Sequence, residues 1–255
     1  MAKDLAIYMA THNKKCSYIK FCDYIIPIQV GKVLSSEKIE EISDDIGENI
    51  SHKNDVYCEL TALYWIWKNA DAENIGLYHY RRRLDISKED ILRILKDKDI
   101  IMPKIKSFRT SLKEQYINEH SKDDWDVMMN VLKELYPKYY EFAQNVFNDN
   151  KIYRFNIFIC GKDLFDNYCF WIFNILDTIY EKISTKNKND YQKRYIGFMA
   201  ERLFTLYILY NKFDIYETNV LFENSVEKYE AYKNFINTIL FKFKNMVRKT
   251  RSIEI

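Results

Sequence analysis

Glycine and proline are scarce in this chain, at 5 and 3 of 255 residues. The glycines are too dispersed to compose G-x-G-x-x-G or a Walker loop, so the two familiar backbone cradles for nucleotide phosphates are disfavoured. Any phosphate must then be gripped mainly by side chains. A net charge of +2 supplies no global field of the kind a nucleic-acid binder carries, so no nucleic-acid partner is expected and any basic site must be local. The five cysteines (Cys16, Cys22, Cys58, Cys160, Cys169) are odd in number and lack zinc spacing. Cys58, Cys160 and Cys169 sit in apolar surroundings and are expected as small core residues, and a reducing cytosol is the simplest compartment. The apolar run after Met1-Ala2-Lys3-Asp4 is too short for a signal peptide. No apolar stretch approaches the roughly 20 residues that span a bilayer.

What is present is a globular composition, 47% hydrophobic and 30% charged, rich in Tyr (21) and Phe (16). The length suits one large α/β domain. Apolar runs predict strands at 5–11, 24–30, 99–103, 153–160 and 214–222 and another that ends at His79, with Pro27 favouring an edge or a non-strand extended run. Segment 35–45 reads as a short helix and loop. Val56, Leu60, Leu63, Tyr64 and Trp67 recur at helical spacing and predict one amphipathic helix to about Asn69, capped by Ser51 or Asn54. Helices are also predicted over 88–96, in pieces over 110–148 with a break before Pro137, over 163–183, over 190–210 and over 226–251. Strand–helix alternation followed by a helix-rich half argues for a mainly parallel sheet flanked by helices. Ligands of such sheets gather at the carboxyl ends of the strands. Three polar clusters fall there: Thr11 to Lys14, His79 to Arg82, and the loop Asn49 to Asn54.

The most informative stretch is Gly76-Leu77-Tyr78-His79-Tyr80-Arg81-Arg82-Arg83-Leu84-Asp85. An apolar strand ends there in an imidazole and three guanidiniums. Arginine forks match phosphate oxygens in pairs and stay charged at any cellular pH. A solvated basic turn is the alternative.

Three longer blocks carry a resemblance: Asn49-Ile50-Ser51-His52-Lys53-Asn54, Tyr57-Cys58-Glu59-Leu60-Thr61-Ala62-Leu63-Tyr64-Trp65, and Gly76 to Arg82. Tyr24-x-x-Pro27-x-x-Val30-Gly31, Asn156-x-Phe158-Ile159 and Tyr191-Gln192-x-Arg194-x-x-Gly197-Phe198-x-Ala200-Glu201-Arg202-Leu203 extend it over residues 4–224. The chain resembles a bacterial polysaccharide-biosynthesis family catalogued as domain of unknown function 4422, similar to glycosyltransferases of capsule, O-antigen and exopolysaccharide loci. The resemblance implies a single GT-A-like glycosyltransferase domain over 1–225, using a UDP-sugar donor and a glycan or lipid-linked glycan acceptor. Galactose or galactofuranose is the first sugar to test on that association. A non-catalytic nucleotide- or glycan-binding module is the alternative. The acidic Asp-x-Asp motif usual at a GT-A strand end has the His-Tyr-Arg-Arg run in its place. Whether Mn²⁺ or Mg²⁺ assists, or guanidiniums alone neutralise the leaving diphosphate, stays open.

Under that resemblance Arg81 and Arg82 hold the diphosphate, with His79 as a donor beside them and Arg83 solvated. Thr11, His12, Lys14, Asn49, Lys53 and Asn54 serve the nucleotide, though Asn54 competes as a helix cap. Tyr57 stacks on a ligand or packs. Glu201 is the acceptor base, against an exposed glutamate or an ion pair with Lys193 or Arg194. Asp85 and Asp190 are further carboxylates for sugar or acceptor. Asn156, on an apolar strand, meets a sugar hydroxyl or a core partner. The closing segment 226–255 reads as a basic amphipathic helix. It suits either docking on the domain or peripheral contact with an anionic membrane on the cytoplasmic face.

Overall fold

The computed structural model describes residues 3–12 and 23–222. Lys14, Cys16, Cys22 and the closing helix expected over 226–255 lie outside the described residues. The strands are β1 (Lys3–Thr11), β2 (Ile25–Gln29), β3 (Ile42–Ser43), β4 (Ala72–His79), β5 (Arg82–Leu84), β6 (Ile100–Pro103), β7 (Lys106–Ser107), β8 (Lys151–Ile152), β9 (Phe158–Gly161), β10 (Ile215–Thr218) and β11 (Val220–Phe222). The helices are α1 (Asn54–Tyr57), α2 (Leu60–Asn69), α3 (Lys88–Ile94), α4 (Leu112–Glu119), α5 (Lys122–Leu135), α6 (Pro137–Asn148), α7 (Lys162–Lys182), α8 (Asp190–Lys193) and α9 (Tyr195–Asn211).

The main sheet runs β10-β6-β9-β4-β1-β2-β3. All of these strands are mutually parallel except β9, which is antiparallel to both β4 and β6. This is the mixed α/β architecture, mostly parallel and helix-flanked, that the alternation predicted. β1 shows why its run is apolar without a break. Ala6, Tyr8 and Ala10 enter one core, while Leu5, Ile7 and Met9 enter the other. Side chains alternate faces along a strand, and a central parallel strand is covered on both. α3 closes the smaller core with Ile91 and Ile94; α2 and the helices of the second half build the larger one. Truncating fully buried Ile7 to alanine should cost about 2–5 kcal/mol.

Gly76 sits where β4 meets β9. A Cβ there would lie 2.9 Å from both the Phe158 carbonyl oxygen and the Ile159 side chain, so only glycine permits this approach. Pro27 pairs with Met9 of β1, while β3 reaches only Ile28 and Gln29, so the proline's outer side meets no strand.

Several local expectations give way to side-chain competition for the backbone. No α-helix forms over 35–45. Gln29 accepts from the Ile39 amide and donates to the Glu37 carbonyl. Asp44 accepts from the Gly31 and Lys32 amides and the Ser51 hydroxyl. The helix expected through Asn69 breaks in two at Cys58, which adopts φ 53. Asn54 does not cap the helix start. Its amide instead donates to the Cys58 carbonyl at 2.7 Å and to the Thr61 hydroxyl at 2.9 Å, fixing the break. The strand expected from 153 begins only at Phe158, because Phe155 and Asn156 have φ of 79 and 51. The helix expected over 190–210 is divided at Arg194.

Candidate functional site

The parallel strands β1 and β4 end together, in register to Ala10↔His79. β9 runs the other way, so its start, not its end, reaches the same edge: Phe158 faces Leu77. Phe155 and Asn156 therefore arrive beside the ends of β1 and β4. Two turns at this edge concentrate charge. β4 hairpins into β5 with His79 opposite Arg82, leaving Tyr80 and Arg81 at the bend. Arg154 precedes the β9 turn.

The guanidiniums interleave with rings. Arg82 and Arg154 each stand 4.5 Å from the Phe155 ring centroid, and Arg81 stands 4.9 Å from that of Tyr80. His12 meets Tyr80 edge-on at 4.8 Å, and His79 lies 4.7 Å from the same ring. Burial pushes the His79 imidazole down to about 3, helped by Arg82, Arg81, His12 and Arg194 in that order. Burial, then Arg81 and Arg194, lowers His12 as well. Both imidazoles are thus neutral in neutral solution. Burial also lowers Arg154, with Glu201 opposing and Arg82 adding to the shift. Arg81, Arg82 and Arg154 gather at this edge and Arg194 acts on its imidazoles, and guanidinium forks are suited to phosphate oxygens.

Next to this cluster an open cleft of about 260 Å³ is lined by Cys58, Glu59, Arg194, Gly197, Phe198 and Glu201. Its walls come from two broken helices, the α1–α2 break and the α8–α9 break. Arg194 donates from Nε to the Cys58 sulfur at 3.2 Å. Burial pushes the Cys58 thiol up to about 11, so it stays protonated. Cys58 is a cleft residue, unlike Cys160 and Cys169, which lie in the core as expected. Glu201 Oε1 accepts the Phe155 amide at 2.6 Å. Burial raises the Glu201 carboxyl and Glu59 adds to it, while Arg202, the Phe155 amide and Arg154 oppose. Arg202 donates to the Phe198 carbonyl and the Gln115 side chain, and its Nη1 also stands 4.0 Å from Glu201 Oε2, so the cleft carboxylate keeps a guanidinium beside it.

The structure thus gathers His12, His79, Arg81, Arg82, Asn156 and Glu201 at one edge, with Thr11 fully buried at the end of β1. The other described members of the expected set have partners of their own or are exposed. Tyr57 is fully buried, and its hydroxyl donates to Asp177 at 2.7 Å, so packing is its role here. Lys53 pairs with the same Asp177 carboxylate at 3.0 Å. Asn49 folds back on Gly47 and Ser51. Asn54 is committed to the Cys58 break. Asp85 is exposed beyond β5, and Asp190 is exposed and paired with Lys193.

Arg154 and Glu59 carried no assigned role in the sequence, and Arg194 only that of an ion-pair partner for Glu201, whereas it bonds Cys58. The Tyr191-to-Leu203 block held a signal for Arg194, and the Tyr57-to-Trp65 block one for Glu59; Arg154 had none. Among the described residues, no group of three or more His, Cys, Asp or Glu side chains forms a candidate metal site. Asp97-Lys98-Asp99 precedes β6, at the opposite edge of the sheet, and Asp99 accepts the Asp214 amide. Asp124-Trp125-Asp126 lies in α5, where Asp124 pairs with Lys188. The cationic strand end is a poor fit for Mn²⁺ or Mg²⁺, because guanidiniums repel a dication. No helix among the described residues is long and apolar enough to cross a membrane.

No curated protein matches the chain. Among solved structures it is similar to WbbM, described as a bifunctional glycosyltransferase in its apo form. The identity is 32% and the TM-score 0.78, over 87% of this chain and 46% of that one. The chain therefore spans about half the length of that protein. Residues 6–212 match the family described as Domain of unknown function (DUF4422), and the chain belongs to that family.

Proposed function

We propose that this protein is a glycosyltransferase that moves a sugar from a UDP-sugar donor to a bacterial capsular, O-antigen or exopolysaccharide acceptor. UDP-galactose, in pyranose or furanose form, is the first donor to test. The observation that carries this reading is the convergence of Arg81, Arg82 and Arg194 around neutral His79, next to a cleft lined by carboxylates. The likeness to WbbM supports the same reaction class.

In the proposed reaction the diphosphate lies along the strand ends. Arg81 and Arg82 neutralise the charge that grows on it as the anomeric bond breaks, and interactions that strengthen in the transition state are the ones that accelerate the reaction. Arg194 reaches the diphosphate from the helical half. Glu201 takes the proton of the attacking acceptor hydroxyl. Burial moves its carboxyl toward the operating pH, which suits a general base.

Calorimetry with UDP on the wild type, Arg81→Ala and Arg82→Ala tests the clamp. Both variants should lose affinity, and unaltered binding in both removes these residues from the site. UDP release from UDP-galactose without acceptor tests the chemistry. A thermal-shift screen of UDP-, GDP- and CDP-sugars, with and without Mn²⁺, fixes the donor. Sugar-nucleotide binding with no turnover under any acceptor would mark a binding module instead.

A further inference from the structure

Glu59 stands in the cleft with a set of costly features around it. Among the described residues four non-glycine residues have positive φ, and three of them, Cys58, Phe155 and Asn156, surround this carboxylate. Cys58 precedes it in the chain. Asn156 donates from Nδ2 to Glu59 Oε1 at 2.8 Å. Phe155 is pinned through its amide by the second cleft carboxylate, Glu201. Asn156 is 1% exposed, yet its Oδ1 has no hydrogen-bond partner. A buried acceptor left unpaired is destabilising and calls for a physical reason. Positive φ in non-glycine residues adds strain, and such strain persists where the surrounding structure imposes it.

These costs share one result. They hold Glu59 Oε1 in place and leave its second oxygen without a hydrogen bond among the described residues, on the wall of a cleft. That cleft continues from Arg194, whose charge reaches both His12 and His79. Whatever is bonded to a diphosphate at the strand ends extends into it. Phe198 supplies an apolar wall facing this space. A fixed carboxylate acceptor with an aromatic wall suits a sugar ring, which offers hydroxyl donors at its edge and C–H groups on its face.

We propose, resting on the glycosyltransferase reading, that Glu59 binds a hydroxyl of the donor sugar and that Asn156 is the positioning residue that orients it. Glu59 thereby makes the enzyme prefer a UDP-sugar over UDP. The leaving diphosphate does not depend on it. Glu59→Gln keeps an oxygen that can accept from Asn156 and removes the charge. Asn156→Ala keeps the charge and removes its anchor.

Calorimetry on the full chain with UDP and with UDP-galactose separates the outcomes. Glu59→Gln is expected to bind UDP as the wild type does and to lose on the order of 10-fold in affinity for UDP-galactose. Asn156→Ala is expected to raise the donor KM several-fold with kcat changed less, and Asn156→Asp is not expected to rescue it, because two carboxylates then face each other. If Glu59→Gln retains the full preference of UDP-galactose over UDP, the proposal is overturned. If Glu59→Gln does not fold, Asn156→Ala decides, and an unchanged donor KM there overturns it equally. A wild type that binds neither UDP nor UDP-galactose would instead sink the parent reading, a result distinct from either of these.

Discussion

Two polar regions of this molecule look alike in sequence and differ in how their charges are satisfied. The loop from Asp44 to Asn54 and the hairpin from His79 to Arg82 both follow apolar strands, and both are dense in hydrogen-bonding groups. In the loop Asp44, Lys53 and Asn54 are satisfied within the protein. Asp44 takes two amides and a hydroxyl, Lys53 takes Asp177, and Asn54 spans the Cys58 break. At the hairpin, like charges are brought together instead. Arg82 and Arg154 share one phenyl ring, and His79 is held neutral among cations. The loop's groups tie elements of the fold together, while the hairpin gathers guanidiniums around rings and imidazoles, the arrangement on which the proposed diphosphate site rests. The residue types alone do not separate the two; their partners do.

The sharpest way to test this contrast is through the chemistry. Glu201→Gln is expected to lower transfer by about 10²–10⁴-fold while UDP binding persists. Normal turnover would remove Glu201 from the reaction. Next, Arg82→Ala should weaken UDP by roughly 10-fold or more, as expected for loss of a charge-assisted contact, whereas Lys53→Ala should leave UDP affinity unchanged. Equal losses in the two variants, read by calorimetry, would erase the distinction between the regions.

The loop's role is then visible in stability. Asp44→Ala strands the buried Gly31 amide and should cost about 2–4 kcal/mol in denaturant unfolding. UDP affinity of the folded fraction should not move. The last effect is confined to acid pH. His79 has its pKa lowered by folding, so the native state binds fewer protons than the unfolded chain. Its contribution is fully present above the unfolded value of about 6.5 and is lost as pH falls toward 3, at up to about 1.4 kcal/mol per pH unit. A His79→Asn variant should show a flatter fall over that window, and an unchanged slope would mean that His79 is not held neutral.

Much of the fold could be read from local pattern. β1 and β6 announce themselves as apolar runs, α7 as a long periodic stretch, and the break before Pro137 through the proline itself. Errors fall where a side chain outcompetes the backbone's regular partners. Asn54 splits a helix whose apolar spacing is continuous, and Gln29 with Asp44 hold 35–45 out of a helix. The positive φ at Phe155 and Asn156 shortens a strand whose alternation is sound. None of these is visible in periodicity, because the competing partner lies at a distance the pattern does not encode.

The same division runs through the site. The sequence by itself determined the strand alternation, the burial of β1 on both faces, and the guanidiniums that close β4. Each follows from residues within a few positions of one another. Only the tertiary structure decided that Arg154, Arg194, Glu59 and Asn156 meet there. Reversal of the single strand β9 carries residues 154–156 to the carboxyl edge, and two helix breaks turn Glu59 and Arg194 into one cleft. Proximity between residues so far apart in the chain is set by strand direction and backbone turns.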